Sequence, residues 1–227
     1  GAIMCLNNQR NENLQSASVV EFVIVYKNCI VENNKTNGSY ALNGDLIRGY
    51  CDITIQNIKY IGNGSSYVYY NAKAIGDLLC VSAAKYNISG VEQYPTVNID
   101  GITFDGNSVG NKIFNVVISQ NSTCNISNIV SKNNFTADNG LFFNMGNNTI
   151  LNVDNIYCDS NQRFTGNRTV YSGDINLYMY SSNVVATLSN INVVNANYCA
   201  VRVITGTNNK VIINNLKIEN CASSSLY

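Results

Sequence analysis

One pattern of apolar and polar positions recurs along the chain. Seven segments share it: VIVYKNCIVENN, DITIQNIKYIGN, TVNIDGITFDGN, CNISNIVSKNNF, LNVDNIYCDSNQ, ATLSNINVVNAN and VIINNLKIENCA. Each contains a pivot: Asn28, Asn57, Gly101, Asn128, Asn155, Asn190 or Asn215. Two residues before the pivot stand Tyr26, Ile55, Ile99, Ile126, Val153, Leu188 and Ile213. The residue immediately before it is polar in every copy: Lys27, Gln56, Asp100, Ser127, Asp154, Ser189, Asn214. Such period-2 alternation marks a strand with one buried face.

After the pivot the parity inverts. The next residue is apolar in all seven copies: Cys29, Ile58, Ile102, Ile129, Ile156, Ile191 and Leu216. A straight strand would turn these side chains to the opposite face, because a one-residue slip exchanges the two faces. The chain must bend at the pivot, and Asn and Gly are the residues that tolerate the left-handed conformation of a tight bend. A further apolar stretch precedes each unit, as in Leu46-Ile47, Ile113-Phe114 and Leu141-Phe142-Phe143. Three short strands per repeat predict an all-β fold, a right-handed parallel β-helix (solenoid) of about seven coils. The competing arrangement is an antiparallel sandwich of hairpins, which does not account for seven copies of one asymmetric parity break.

Successive pivots lie 29, 44, 27, 27, 35 and 25 residues apart. The long intervals imply loop insertions at about 63–95 and 162–176 within a single module spanning 1–227. Pivots Asn28, Asn57, Asn128, Asn155, Asn190 and Asn215 are expected to stack as a hydrogen-bonded structural Asn ladder. Ile102, Ile129, Ile156 and Ile191 are expected to form one buried column. The chain starts and ends inside the pattern, so a fragment of a longer protein is expected, its anchor and targeting signal outside this stretch.

Charge changes the picture by its scarcity. Charged residues make up 12% and the formal net charge is zero, which offers no electrostatic footprint for nucleic acid or an anionic membrane. Asn, at 41 of 227 residues, supplies the polar surface instead. Nine N-x-[ST] sequons occur, at Asn34, Asn37, Asn63, Asn87, Asn121, Asn125, Asn134, Asn147 and Asn167. Together with eight cysteines that lack zinc-type spacing, they lead to the expectation of a secreted, extracellular or cell-surface chain. Asn125 lies inside a strand and is expected to be a poor glycan acceptor. Asn34, Asn63 and Asn134, six residues past a pivot, are expected to be good ones. Cys29, Cys124 and Cys158 read as buried small hydrophobes, and Cys199 with Cys221 as a disulfide candidate between consecutive coils.

The repeat resembles the pectin-lyase-like right-handed β-helix, in which an Asn ladder commonly occupies the tight corner between the second and third strands. It is still more similar to polymorphic outer membrane protein-type repeats, whose short motifs read GGA[ILV] and FxxN. Gly1-Ala2-Ile3 looks like the first, and Phe104-Asp105-Gly106-Asn107 matches the second. Tyr60-Ile61-Gly62-Asn63 and Cys158-Asp159-Ser160-Asn161 depart from it by replacing the Phe. The resemblance implies a surface protein of the kind found among bacterial autotransported adhesins and large protist surface proteins. The Asn-rich composition favours a protist with an AT-rich genome.

Histidine is absent, which removes the commonest general base and metal ligand and all Ser/His and Cys/His pairs. Glycoside hydrolysis needs two carboxylates about 5 to 9.5 Å apart. Asp100 and Asp154 share one outward position two coils apart, roughly 10 Å at about 4.8 Å per coil. Asp105 and Asp159 repeat that spacing. The upstream strands, near Asp77 or Asp174, are where an undetected catalytic site could sit. Tyr67, Tyr69, Tyr70, Tyr178 and Tyr180 are recognition candidates, since exposed Tyr offers stacking and hot-spot contacts. Packing of these loops onto the wall is the plainer role. The expected function is a non-catalytic surface or structural module for adhesion or assembly, without cofactor or metal. Its expected partners are neighbouring segments or subunits, glycans or cell-surface proteins. The alternative is a carbohydrate-active enzyme, a polysaccharide lyase or glycoside hydrolase.

Overall fold

The computed structural model describes residues 5–7, 23–36, 44–65, 77–88, 91–136, 139–163 and 173–221. Strands dominate, and the described residues contain no helix. Two sheets of seven strands and one of five are assembled from parallel pairs throughout. The chain visits the sheets in rotation, as expected of a β-solenoid. An upstream strand such as Lys112–Ile118 leads to a pivot strand, Thr123–Lys132, then to a short strand, Phe135–Thr136, before the next upstream strand, Asn139–Met145.

The pivot strands are Val23–Glu32, Asp52–Ile61, Thr96–Asp105, Thr123–Lys132, Ile150–Asp159, Val185–Val194 and Lys210–Glu219. Both arms pair in register with the same neighbours. At the centre of each, the pivot is left-handed, with φ from 54° to 57° at the Asn pivots and 70° at Gly101. One left-handed residue between two extended arms turns both arms' alternate side chains inward. Ile102, Ile129, Ile156 and Ile191 are therefore register partners in one buried column.

Left-handed residues recur at two further stations of the repeat. Five residues past each pivot a second left-handed residue occurs: Asn33, Gly62, Gly106, Asn133, Ser160, Asn195 and Asn220. Seven residues before the last four pivots lie Asn121, Asn148, Asn183 and Asn208, also left-handed. The core lies between the sheets, with Tyr60 and Phe104 stacked at 5.3 Å and Phe114 edge-on to Phe143. A regular upstream strand, Leu79–Ala83, lies within the first expected insertion, and another, Gly173–Met179, begins inside the second and runs past its end. The first insertion also carries an antiparallel hairpin, Tyr86–Ile88 with Val91–Gln93.

Candidate functional site

The outer face of the upstream sheet gathers the most varied chemistry. Register places Cys80, Asn115, Phe142, Asn176 and Arg202 in one row across adjacent strands. Ser82, Val117, Asn144, Tyr178 and Ile204 form the next. Asp77 lies at one end of this face and accepts from the Asn111 and Asn115 amides, both at 2.6 Å, with the Lys112 ammonium 4.0 Å away. Lys112 lies 4.8 Å from the centre of the Phe142 ring. Phe142 packs on Tyr178 at 4.6 Å, and Tyr178 meets Tyr180 edge-on at 5.5 Å. Arg202 closes the strip: its guanidinium sits over Tyr178 and donates to that residue's hydroxyl at 2.8 Å.

Tyr178 is thus held between Phe142 and Arg202, while Tyr180 is 69% exposed and presents an open ring. Arg48, Lys112 and Arg202 outnumber Asp77 on the described part of this face. An aromatic ring beside a fixed guanidinium can stack on an apolar or ring surface and hold an adjacent acceptor. A carboxylate tied by two amides is positioned as an acceptor. Tyr67, Tyr69 and Tyr70 lie outside the described residues.

Asp174 does not belong to this face. Its side chain points into the core, 1% exposed. It accepts from the Tyr198 hydroxyl at 3.3 Å, with the Asn161 amide and the buried Cys158 thiol close by. Burial pushes its carboxyl up to about 7, against the smaller opposing pull of Asn161 and Tyr198. Asp45 is a second core carboxyl, raised by burial. It accepts from Tyr60 at 2.6 Å and Tyr26 at 2.9 Å, and both phenols are raised by burial in turn. The place near Asp174 considered for an acidic site is therefore core, closed to substrate.

The outer face of the pivot strands is polar and slightly hollow around Asn125, Ser127, Asn152, Asp154, Thr187 and Ser189. Its polar groups are spent along the stack. Asn57 donates to Asn28 at 3.1 Å, Asn155 to Asn128 at 2.6 Å, and Asn215 to Asn190 at 3.0 Å. Where Gly101 leaves no amide, Asn128 donates to Asp100 at 2.6 Å. Asn190 donates to Asp154 at 2.7 Å. Ser127 and Asn128 together hold the Asp100 carboxyl below its usual range, and Asn195 and Ser160 do the same for Asp159.

A second ladder, not expected from the sequence, runs through the interior six residues past the pivots: Asn34, Asn63, Asn107, Asn134 and Asn161. Asn34 donates to Asn63 at 2.9 Å, and Asn63 to Asn107, Asn107 to Asn134 and Asn134 to Asn161 at 2.9 to 3.1 Å. The ladder takes in three of the glycan candidates. Asn63 and Asn134 are each 1% exposed, and Asn34 is half-buried at the ladder's end. Asn121, Asn147 and Asn87 are exposed and Asn125 is half-buried on the outer face. Asn37 and Asn167 lie outside the described residues.

Cys199 and Cys221 are not joined in the structure. Both are free thiols, each donating to a carbonyl two residues away, Val201 O at 3.2 Å and Glu219 O at 3.5 Å. Cys124 and Cys158 are buried, and burial raises both thiols. Comparison with known family profiles, curated proteins and solved structures gives no match.

Proposed function

We propose that the chain is a non-catalytic structural or surface module, a right-handed parallel β-helix of seven turns acting as a stiff extracellular rod. Carrying this reading is the way its outward carboxylates are used. Asp100 accepts from Ser127 and Asn128 of the next turn, Asp154 from Asn190, Asp105 from Asn133, and Asp159 from Asn195. Each ties one turn to the next. Asp100 and Asp159, held below the usual carboxyl range by these bonds, serve stacking well and serve poorly as general acids, which need a raised pKa. Neighbouring segments or subunits are the proposed axial partners, and the Tyr180–Arg202 strip is the proposed contact for glycans or cell-surface proteins. A pectin-lyase-like polysaccharide lyase or hydrolase is the alternative. Incubation of the purified chain with polygalacturonate and other acidic glycans, with and without Ca²⁺, tests it. No release of unsaturated product or reducing ends is expected. Sustained turnover that disappears on Asp77→Asn would establish the enzyme.

A further inference from the structure

The buried ladder and the sequons coincide, and the coincidence carries a consequence for modification. Both amide hydrogens of Asn63 are engaged, one by Val31 O at 2.7 Å and one by Asn107 Oδ1 at 3.1 Å. Those of Asn134 go to Phe104 O at 3.0 Å and to Asn161 Oδ1 at 3.1 Å. Each side chain thus staples its own turn to both neighbours. Space is equally committed at this corner: a Cβ placed on Gly64, next to Asn63, would lie 2.2 Å from Ser108 O of the next turn.

Transfer of an oligosaccharide from a lipid-linked pyrophosphate donor joins Asn Nδ2 to the sugar's C1 and breaks the C1–O bond. The lipid pyrophosphate leaves, and one amide proton passes to solvent. Nδ2 keeps a single hydrogen where the ladder uses two, and the sugar needs room that the adjoining turn occupies. A buried acceptor left without its donor costs about 1–3 kcal/mol, before the bulk of the sugar is counted.

Exposed corners behave differently. Asn121 accepts from Asn148 Nδ2 at 2.8 Å, and Asn147 accepts from the Ser182 backbone N–H at 2.8 Å. These bonds use Oδ1, which glycosylation leaves intact, and both side chains are exposed.

We propose that an N-glycan on Asn63 or Asn134 and the folded solenoid are mutually exclusive, and that Asn121 and Asn147 are corners where the fold accepts one. The transferring enzyme meets the extended chain before the ladder closes. Modification at Asn63 or Asn134 is then a folding trap, and a folded secreted molecule is one in which both escaped it.

Expression in a eukaryotic secretory host tests this, with glycopeptide mapping of the secreted and the cell-retained fractions. Glycans on Asn63 and Asn134 are expected only in retained chains, and glycans on Asn121 and Asn147 in secreted ones. The sequon-only double variant Ser65→Ala/Thr136→Val keeps both ladder amides and should raise the secreted yield several-fold. Its yield and urea midpoint from bacterial cytosol, where no glycan is added, set the baseline for its ability to fold, including the loss of the Thr136 hydroxyl's bond to Asn111 O. A glycan on Asn63 or Asn134 in protease-resistant, cooperatively unfolding secreted molecules would overturn the proposal. So would a fold-competent double variant that is secreted no better than the wild type.

Discussion

Two asparagine ladders run along this molecule six residues apart in the repeat, and they do different work with one side chain. At the pivot, Asn is exposed, and its main service is backbone: it accepts a left-handed φ that bends the strand. Its amide bond to the next turn competes with water. In the inner ladder, from Asn63 to Asn161, the side chain is sealed from water, so each amide group is either paired or costly. Residue identity is therefore replaceable at the pivot, as Gly101 demonstrates, and far less so within. The inner ladder holds while Asn remains at this position and stops where Ala196 takes it.

The largest break in this comparison should come from Asn107→Ala. It strips the acceptor from the backbone N–H and the amide of Asn63 and the side-chain donor from Tyr60 O, while Asn134 Oδ1 keeps the Asn107 backbone N–H. Three groups left short of a partner at about 1–3 kcal/mol each imply a loss of roughly 4 kcal/mol or more in urea unfolding. An effect near 1 kcal/mol would make the two ladders equivalent.

Acid–base behaviour sharpens the contrast next. Asp174 sits beside Asn161, the last rung of the inner ladder, and is held protonated up to about 7. The unfolded chain releases that proton near the ordinary carboxyl value of about 3.9. The folded state thus binds more protons in between, and this contribution is full below about pH 4, declines up to about 7 and is level above. Its size is on the order of 4 kcal/mol. Asp174→Asn should flatten the curve of unfolding midpoint against pH; an unchanged slope between pH 4 and 7 would place the proton elsewhere. Asp100, on the outer face, has the opposite sign: its carboxyl is depressed by Ser127 and Asn128, and its smaller contribution is lost in acid.

Ile129→Ala, in the buried column just past the pivot, should cost about 3 kcal/mol within the usual range for such truncations. A loss below about 0.5 kcal/mol would invert the assignment of faces. At the pivot itself the effects shrink. Asn155→Ala forces a Cβ-bearing residue without local hydrogen bonding into a left-handed site, about 1–2 kcal/mol, while Asn155→Gly should stay within about 0.5 kcal/mol. Smallest of all is Gly101→Asn, whose Cβ would press only on the movable Asn57 Oδ1 at 2.9 Å. It should leave stability unchanged or raise it by a few tenths of a kcal/mol, readable as a shift in thermal midpoint.

The pivots and the columns were legible because seven long strands each carry several alternating positions, enough for the parity break to be seen. The inner ladder was not, for a physical reason. It sits beside strands of only two residues, such as Gly64–Ser65 and Phe135–Thr136, too short to show a period. A polar residue at a strand exit reads as surface, and a sequon strengthens that reading. The constant offset of six from pivot to Asn34, Asn63, Asn107, Asn134 and Asn161 was the available signal, as was the Asn/Gly recurrence at offset five. The core cluster of Asp45, Tyr26 and Tyr60 was hidden differently, since its members come from three strands that only stacking brings together. Tyr178 and Tyr180 stand out in the sequence as recognition candidates, but Phe142, Lys112 and Arg202 around them depend on register.

That register also makes the molecule divisible in a particular way. Thr123 pairs with Ile150 and Lys132 with Asp159, each exchange an offset of 27 residues. Excising residues 123–149 would join Ser122 to Ile150, so that Ser122 takes the place of Thr149 in the cycle, and bring pivot strand 150–159 against pivot strand 96–105. Each turn contacts only its two neighbours, so the energetics are close to a sum over units. Length is then a heritable variable that changes by whole turns. An in-frame gain or loss of 27 codons alters how far the protein reaches without redesigning any part of its interior.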